Sequence, residues 1–231
     1  MGKMYFSNTK TARPHLGFLI VALVILFFAN IALTSCDNGD SREHYISYGV
    51  AYTADNNQYL IHLDNGDVVA PKNVYQLKDS LRLIMDFSIL EVGDTTQNID
   101  YNIEVNAIRE VPVESILQHD EVLIDTLGND PIEIRNGECW LANGFISIEF
   151  FCVGLPDTQH QIYMIQQPSV GNKIMLEIRH NGYSEDRYQL RKSYVSFPIT
   201  KILEGMEKPV SIDVKYQDSD HSSKTITLEY K

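Results

Sequence analysis

From Tyr45 onward, apolar and polar residues alternate with a period of two, the spacing of strands with one face buried. Ile46, Tyr48, Val50 and Tyr52 alternate with Ser47, Gly49, Ala51 and Thr53, which predicts a first strand with its larger side chains on one face. Tyr59 to Asp64 and Asp67 to Ala70 flank Asn65-Gly66, the strongest short-range hairpin signal. A two-residue turn there sets Leu63 opposite Val68 and Ile61 opposite Ala70, with His62 on the other, exposed face. Pro71 ends the hairpin, and a long strand follows in which Leu81, Leu83, Met85, Phe87 and Ile89 share a face opposite Arg82, Asp86 and Ser88. After the loop Gly93 to Asp100, Tyr101, Ile103, Val105 and Ala107 alternate with Asn102, Glu104 and Asn106. Four or five strands in about seventy residues, with a tight second hairpin and no helix, predict a small Greek-key barrel of the OB type. Closure removes the edges that so short a sheet would otherwise expose.

Val111 to Asp120 reads as a connector, since its apolar spacing weakens and Pro112 breaks the pattern. Beyond it strands are predicted at Glu121 to Asp125, Pro131 to Arg135, Gly144 to Val153, His160 to Gln167, Lys173 to Arg179, Ser193 to Pro198, Val210 to Tyr216 and Lys224 to Tyr230, with one helical turn at Thr200 to Met206. Short strands at this spacing suggest an antiparallel sandwich. The expected fold is therefore all-β, an OB-like barrel at 45–115 followed by an antiparallel β-sandwich at 116–231.

Ahead of the strands lies a different kind of segment. Lys3, Lys10 and Arg13, without any acidic residue, precede an apolar run from Phe18 to Leu33 that only Asn30 interrupts, which is the n-region and h-region order of a signal peptide. The run meets Leu33-Thr34-Ser35-Cys36, which resembles the lipobox of bacterial lipoproteins. Residues 1–35 are thus expected to be a signal peptide, Cys36 the lipidation site, and 36–44 a short polar tether to a membrane. The alternative is an uncleaved anchor, since the run is only slightly shorter than the ~20 residues of a spanning helix. Several acyl chains on one cysteine hold a membrane firmly where one chain does not.

Charge narrows the partners. The first thirty-six residues hold three of the nineteen basic residues and none of the thirty-one acidic ones, so the remainder carries −15. That sign opposes phosphate, and between Asp37 and Asp120 fifteen acidic side chains stand against five basic ones, so no nucleic-acid partner is expected of the barrel. Tyr45, Tyr48, Tyr52 and Tyr59 belong to the barrel core or rim, or else stack on sugars or a protein. After Cys36 the histidines His44, His62, His119, His160, His180 and His221 are scattered singly, without a second ligand at helical spacing, so no metal is expected. Asp64/Asp67, Asn129/Asp130 and Asp218/Asp220 are read as turn residues. No nucleophile elbow or phosphate loop occurs, so neither catalytic residues nor a cofactor are expected. Cys139 and Cys152 remain. Export permits a disulfide, while a hairpin at Ala142-Asn143-Gly144 would pair Cys139 near Ile146 and well away from Cys152, which weighs against a bridge and leaves both states open.

The order of features resembles the NigD-like lipoproteins of Gram-negative anaerobes. The residues that carry the likeness are the lipobox at Cys36, Tyr59 to Asp67, Gly128-Asn129-Asp130-Pro131-Ile132, Trp140-Leu141, Leu176 to Asn181 and Val195-Ser196-Phe197. The resemblance implies an OB-like domain followed by a β-sandwich, and an envelope lipoprotein that works by protein contact. The family takes its name from a member thought to confer bacteriocin immunity, so a bacteriocin is the implied partner. The resemblance supplies no catalytic residues. A surface glycan ligand is the alternative, and a hydrolase a more distant third. Asp37 and Asp40 resemble a surface-export signal of such bacteria but an inner-membrane retention signal of enterobacteria; the outer membrane, at its periplasmic face or the cell surface, is the expected address. Asp79-Ser80-Leu81, Asp94-Thr95-Thr96 and Asp125-Thr126-Leu127 resemble O-glycosylation acceptors of exported proteins there, making Ser80, Thr95 and Thr126 candidate modification sites.

Overall fold

A computed structural model describes residues 42–54, 57–74, 76–154, 160–182 and 189–231. The expected signal peptide, Cys36 and most of the tether lie outside them. Five strands, β1 (Tyr45–Thr53), β2 (Tyr59–Leu63), β3 (Val68–Pro71), β4 (Arg82–Val92) and β5 (Tyr101–Glu110), close a barrel in the order β1-β2-β3-β5-β4. β3 pairs with β5 in parallel and the other pairs are antiparallel. β4 pairs with β1 on one side and with β5 on the other, and its register against β5 shifts at Asp86/Phe87 and Ile89/Glu91. The interior holds Ala51, Ile61, Leu63, Val69, Leu83, Met85, Phe87 and Ile103, all buried.

Three sequence expectations change inside this barrel. In β1 it is Gly49 and Ala51 that face inward, while Ile46 is 72% exposed and Tyr48 is only half-buried. The interior leaves no room for more, since a Cβ on Gly49 would lie 2.7 Å from Ile61 Cγ2 and 2.8 Å from the His62 carbonyl. The hairpin at Asn65-Gly66 is shifted by one residue from the register of a two-residue turn, pairing Ile61 with Val69 and His62 with Val68. Gly66 N–H bonds back to Leu63 O, Leu63 N–H bonds to Asp67 O, and Gly66 has φ +100°. This is a three-residue loop ending in a left-handed glycine. Asp64 is therefore a turn residue. Finally, Arg82, expected on the polar face of β4, is 1% exposed because the sandwich covers that face.

The sandwich consists of a five-stranded sheet, β13-β12-β10-β9-β6, and a three-stranded sheet, β11-β8-β7. The strands are β6 (Ile116–Gln118), β7 (Cys139–Ala142), β8 (Phe145–Gly154), β9 (Gln161–Val170), β10 (Lys173–Asn181), β11 (Gln189–Pro198), β12 (Val210–Gln217) and β13 (Ser223–Tyr230). Between the sheets lies a core that includes Ile146, Ile148, Phe150, Ile174, Leu176, Ile178, Phe197, Ile212 and Val214. The pairing is antiparallel in the greater part, with β10–β12 and β6–β9 parallel.

The stretch read as a connector contributes β6, and Val113 bridges Ser196. Glu121 to Asp125 is not a strand but opens on a short helix, α1 (Glu121–Ile124), because the Asp120 carboxylate caps Val122 N–H at 2.9 Å. Pro131 to Arg135 forms no strand either. It crosses the gap between the sheets, with Ile132 N–H donating to Gln217 O and Glu133 exchanging both backbone bonds with Phe151, so that Ile132 and Ile134 enter the core. A second short helix, α2 (Thr200–Leu203), occupies the predicted helical turn.

The hairpin β7–β8 turns on two residues, Asn143 and Gly144, both at positive φ, so Cys139 pairs with Ile148 rather than with Ile146. Cys139 and Cys152 are both buried and not bridged to each other.

Candidate functional site

Among the described residues, two groups of buried polar side chains concern the candidate site, one where the barrel meets the sandwich and one at the end of the sandwich where β8 and β10 finish and β9 begins.

The junction is built by two Asn-Gly turns, one from each half. The barrel turn projects Asp64, and the sandwich turn supplies Asn143, whose amide donates to Asp64 Oδ1 at 2.9 Å and to the His62 carbonyl at 3.1 Å. Arg82 meets the same carboxylate bidentately, Nη1 to Oδ1 at 2.6 Å and Nη2 to Oδ2 at 2.5 Å, and Trp140 Nε1 donates to Oδ2 at 2.7 Å. Each carboxylate oxygen thus accepts two hydrogen bonds, which fills the acceptor capacity of the group. Arg82 also donates from Nε to Ser196 Oγ at 3.2 Å and from Nη2 to Ser147 Oγ at 2.6 Å. These serines lie opposite each other on β11 and β8 with their hydroxyls 2.8 Å apart. The rings of Tyr48 and Phe145 flank the guanidinium.

Burial alone would raise the Asp64 pKa, but the hydrogen bonds from Arg82, Trp140 and Asn143 outweigh it and hold the carboxyl below its ordinary value. Tyr48, turned outward by the small residues beside it, packs its ring edge on Trp140 and donates to Glu149 at 2.6 Å. Burial and then that hydrogen bond push its pKa up. Lys192 completes the edge at 2.5 Å from Glu149.

The second cluster joins Cys152 of β8, His160 just before β9 and His180 of β10, whose potential ligand atoms all lie within 4.8 Å of one another. The imidazoles stack with centroids 5.0 Å apart, and His160 Nδ1 lies 2.9 Å from His180 Nε2. Cys152 and His180 are 3% and 2% exposed. His160 Nε2 and His180 Nδ1 are buried without a hydrogen-bond partner among the described residues. Burial first, and repulsion from His160 second, push the His180 pKa down to about 4, so the ring is neutral near pH 7. The loop beside it is held close by Gly128, at φ +77°, where a Cβ would lie 2.8 Å from the His180 carbonyl. That carbonyl accepts from Asp130 N–H at 2.9 Å, and Gly182 N–H donates to Asp130 Oδ2 at 2.6 Å.

Sequence reading treated these histidines as scattered, and the structure corrects that. The β9–β10 register pairs His180 with Ile162 and Asn181 with Gln161, which carries His160 to the same end. The signal was available, because both strands were predicted in succession around Gly171, and a hairpin brings their outer ends together. Cys152, from the other sheet, left no such signal.

A cleft of about 400 Å³ opens beside this cluster, lined in part by Glu114, Cys152, His160, Tyr163, Arg191 and Tyr194. Arg191 and Cys152 are paired across β11 and β8, as are Leu190 and Val153. Alternation turns the latter two to the outer face of the sheet, where they are 59% and 43% exposed.

The remaining candidates are dispersed. Ser80, Thr95 and Thr126 are all exposed, Ser80 at φ 60° and Thr95 at the start of a 3₁₀ turn whose cap is Asp94. Tyr45 tilts against Phe87, and Tyr52 sets its edge on His62, which is exposed as expected. Asp67 bonds with Asn65, while Asp218 and Asp220 order their own turn with Lys224 and Ser222. Among the described residues no helix is long and apolar enough to cross a membrane.

The family model of the NigD-like C-terminal β-sandwich domain matches residues 115–230. No curated protein sequence matches the chain. Among solved structures, a protein of Parabacteroides distasonis provisionally described as toxin-related is 27% identical, with 82% of this chain and 94% of that one covered at a TM-score of 0.67. A NigD-like immunity protein of Bacteroides caccae is 16% identical, covering 82% and 97% at a TM-score of 0.61. A Bacteroides fragilis protein provisionally described as a lipoprotein is 12% identical, covering 82% and 99% at 0.60. At 16% and 12% identity the last two likenesses concern the fold alone.

Proposed function

Since the chain belongs to the NigD-like family, we propose that it is an envelope lipoprotein that acts by binding a protein, and that the bound protein is a bacteriocin against which it gives immunity. The lipid sits on Cys36, and the outer membrane carries the anchor. The observation that carries the binding reading is the end of the sandwich. A cleft with Arg191, Tyr163 and Tyr194 on its wall adjoins strands whose other face exposes Val153 and Leu190. Arginine and tyrosine are among the side chains that dominate protein contacts, and the opposite face of the same strands adds exposed apolar surface. The buried polar group that is richest in hydrogen bonds, around Asp64, is saturated by internal donors and offers no atom to a substrate.

Deleting the gene and challenging cells with bacteriocins of related strains tests the reading. Sensitivity to one toxin should rise and be reversed by complementation, and unchanged sensitivity to every toxin tried would overturn immunity. Cys36→Ala should abolish acyl labelling and leave an uncleaved precursor. A second reading, a surface glycan-binding module, draws on Tyr163 and Tyr194 in the cleft. A glycan array separates the two, since the protein-binding reading expects no glycan signal.

A further inference from the structure

We propose that Cys152, His160 and His180 form a site for a thiophilic divalent transition-metal ion, with Zn²⁺ as the ion of choice. One thiol and two imidazoles are the donor set that zinc takes, and softer thiolate ligation disfavours calcium and magnesium. Around a tetrahedral zinc, with bonds of about 2.0 Å to nitrogen and about 2.3 Å to sulfur, ligand atoms stand roughly 3.5 Å apart. The three atoms here, within 4.8 Å of one another, need to close by no more than about 1.3 Å.

A second observation points the same way. A buried ring nitrogen without a partner costs free energy, and this cluster holds two, His160 Nε2 and His180 Nδ1. A stacked pair of imidazoles sharing one contact at 2.9 Å cannot satisfy four nitrogens between them. Metal ligation takes up a ring-nitrogen lone pair from each imidazole and so gives this buried cluster the polar contacts that its own atoms do not supply. The proton balance is simple. The Cys152 S–H bond breaks, its proton leaves to solvent, and the thiolate binds the metal, while each imidazole keeps its one N–H on the nitrogen that does not ligate.

The site would tie β8 of the three-stranded sheet to the β9–β10 hairpin of the five-stranded sheet, as a disulfide would. Cys152 and His160 line the cleft, so the fourth coordination position faces it and is filled by solvent or by a side chain of a bound partner. The Gly128 to Asp130 loop orients His180 from behind through the carbonyl bond from Asp130 N–H.

Co²⁺ titration of the full chain, stripped with chelator and kept reduced, is the direct test. One equivalent should give the intense visible bands of tetrahedral cobalt with a thiolate charge-transfer band, and Zn²⁺ should displace it. Cys152→Ser should remove the thiolate band and weaken Zn²⁺ by at least about tenfold. His180→Gln should weaken it similarly. His160 is less buried, so His160→Gln carries the test if His180→Gln fails to fold. Cys139→Ser and His62→Gln should leave both readouts unchanged. A weak octahedral cobalt spectrum, or Zn²⁺ affinity the same in Cys152→Ser and His160→Gln as in the parent chain, would overturn the proposal.

Discussion

The Asp64–Arg82 junction and the Cys152–His160–His180 cluster are both buried and polar, yet they differ in how their atoms are satisfied. At the junction every carboxylate lone pair is met, and the guanidinium is bonded from three of its nitrogens. At the sandwich end two ring nitrogens face protein without a partner among the described residues. A saturated network fixes geometry and has nothing left to give a ligand, whereas an incomplete one is held open at a cost that something else must offset. The first arrangement cements two halves of a protein together. The second has the character of a site.

Breaking the junction should have the largest effect. Arg82→Met strands the Asp64 carboxylate in a buried place, and we predict a loss of about 3–5 kcal/mol in urea unfolding. A loss under about 1 kcal/mol would show that the pair contributes little.

The cluster should respond to pH. His180 titrates near 4 when folded and near 6.5 when unfolded, so its contribution is fully present above 6.5 and is lost as pH falls toward 4, about 3 kcal/mol in all. Asp64 is depressed below 3.8, so its contribution is present above that value and disappears only in stronger acid. Mild acid should therefore weaken the sandwich end before the junction. Unfolding of the metal-free chain measured from pH 7 to 4 should have a shallower slope in His180→Gln, and an unaltered slope would refute the assignment.

Smaller effects separate geometry from contact. Gly66→Ala meets open space but forces a Cβ into left-handed backbone, which should cost about 1–2 kcal/mol and show as a lower Tm. Leu190→Asp, on the exposed outer face, should change stability by no more than about 0.5 kcal/mol while reducing protection against the bacteriocin. Protection that survives Leu190→Asp removes that face from the interface.

Period-two alternation and the two Asn-Gly turns made the barrel and most of the sandwich strands legible. Phase was less so. In β1 the larger side chains looked like the core face, but the barrel is too narrow for them, and only packing against Ile61 decides that Gly49 and Ala51 go in. Alternation sets Arg82 on the face opposite the apolar side chains of its strand, but it reports which face a side chain takes and not what later covers that face. The junction was half visible, since Asp64 and Trp140 stood in segments noted for their resemblance, but no local pattern joins residues from two domains. The metal candidate was hidden for a related reason: its three members come from two sheets, and strand register rather than spacing assembles them.

The separations within the junction also carry a schedule. Asp64 and Arg82 are 18 residues apart, both on the barrel, whereas Ser147 and Ser196 lie 65 and 114 residues beyond Arg82. A chain delivered from its N-terminus completes the barrel first, with the ion pair still wet on its surface. Trp140, then Ser147, then Ser196 arrive as successive strands condense on it, and water is expelled in the same order. Until β11 closes over it, Arg82 remains a solvated cation awaiting the last strand that will bury it.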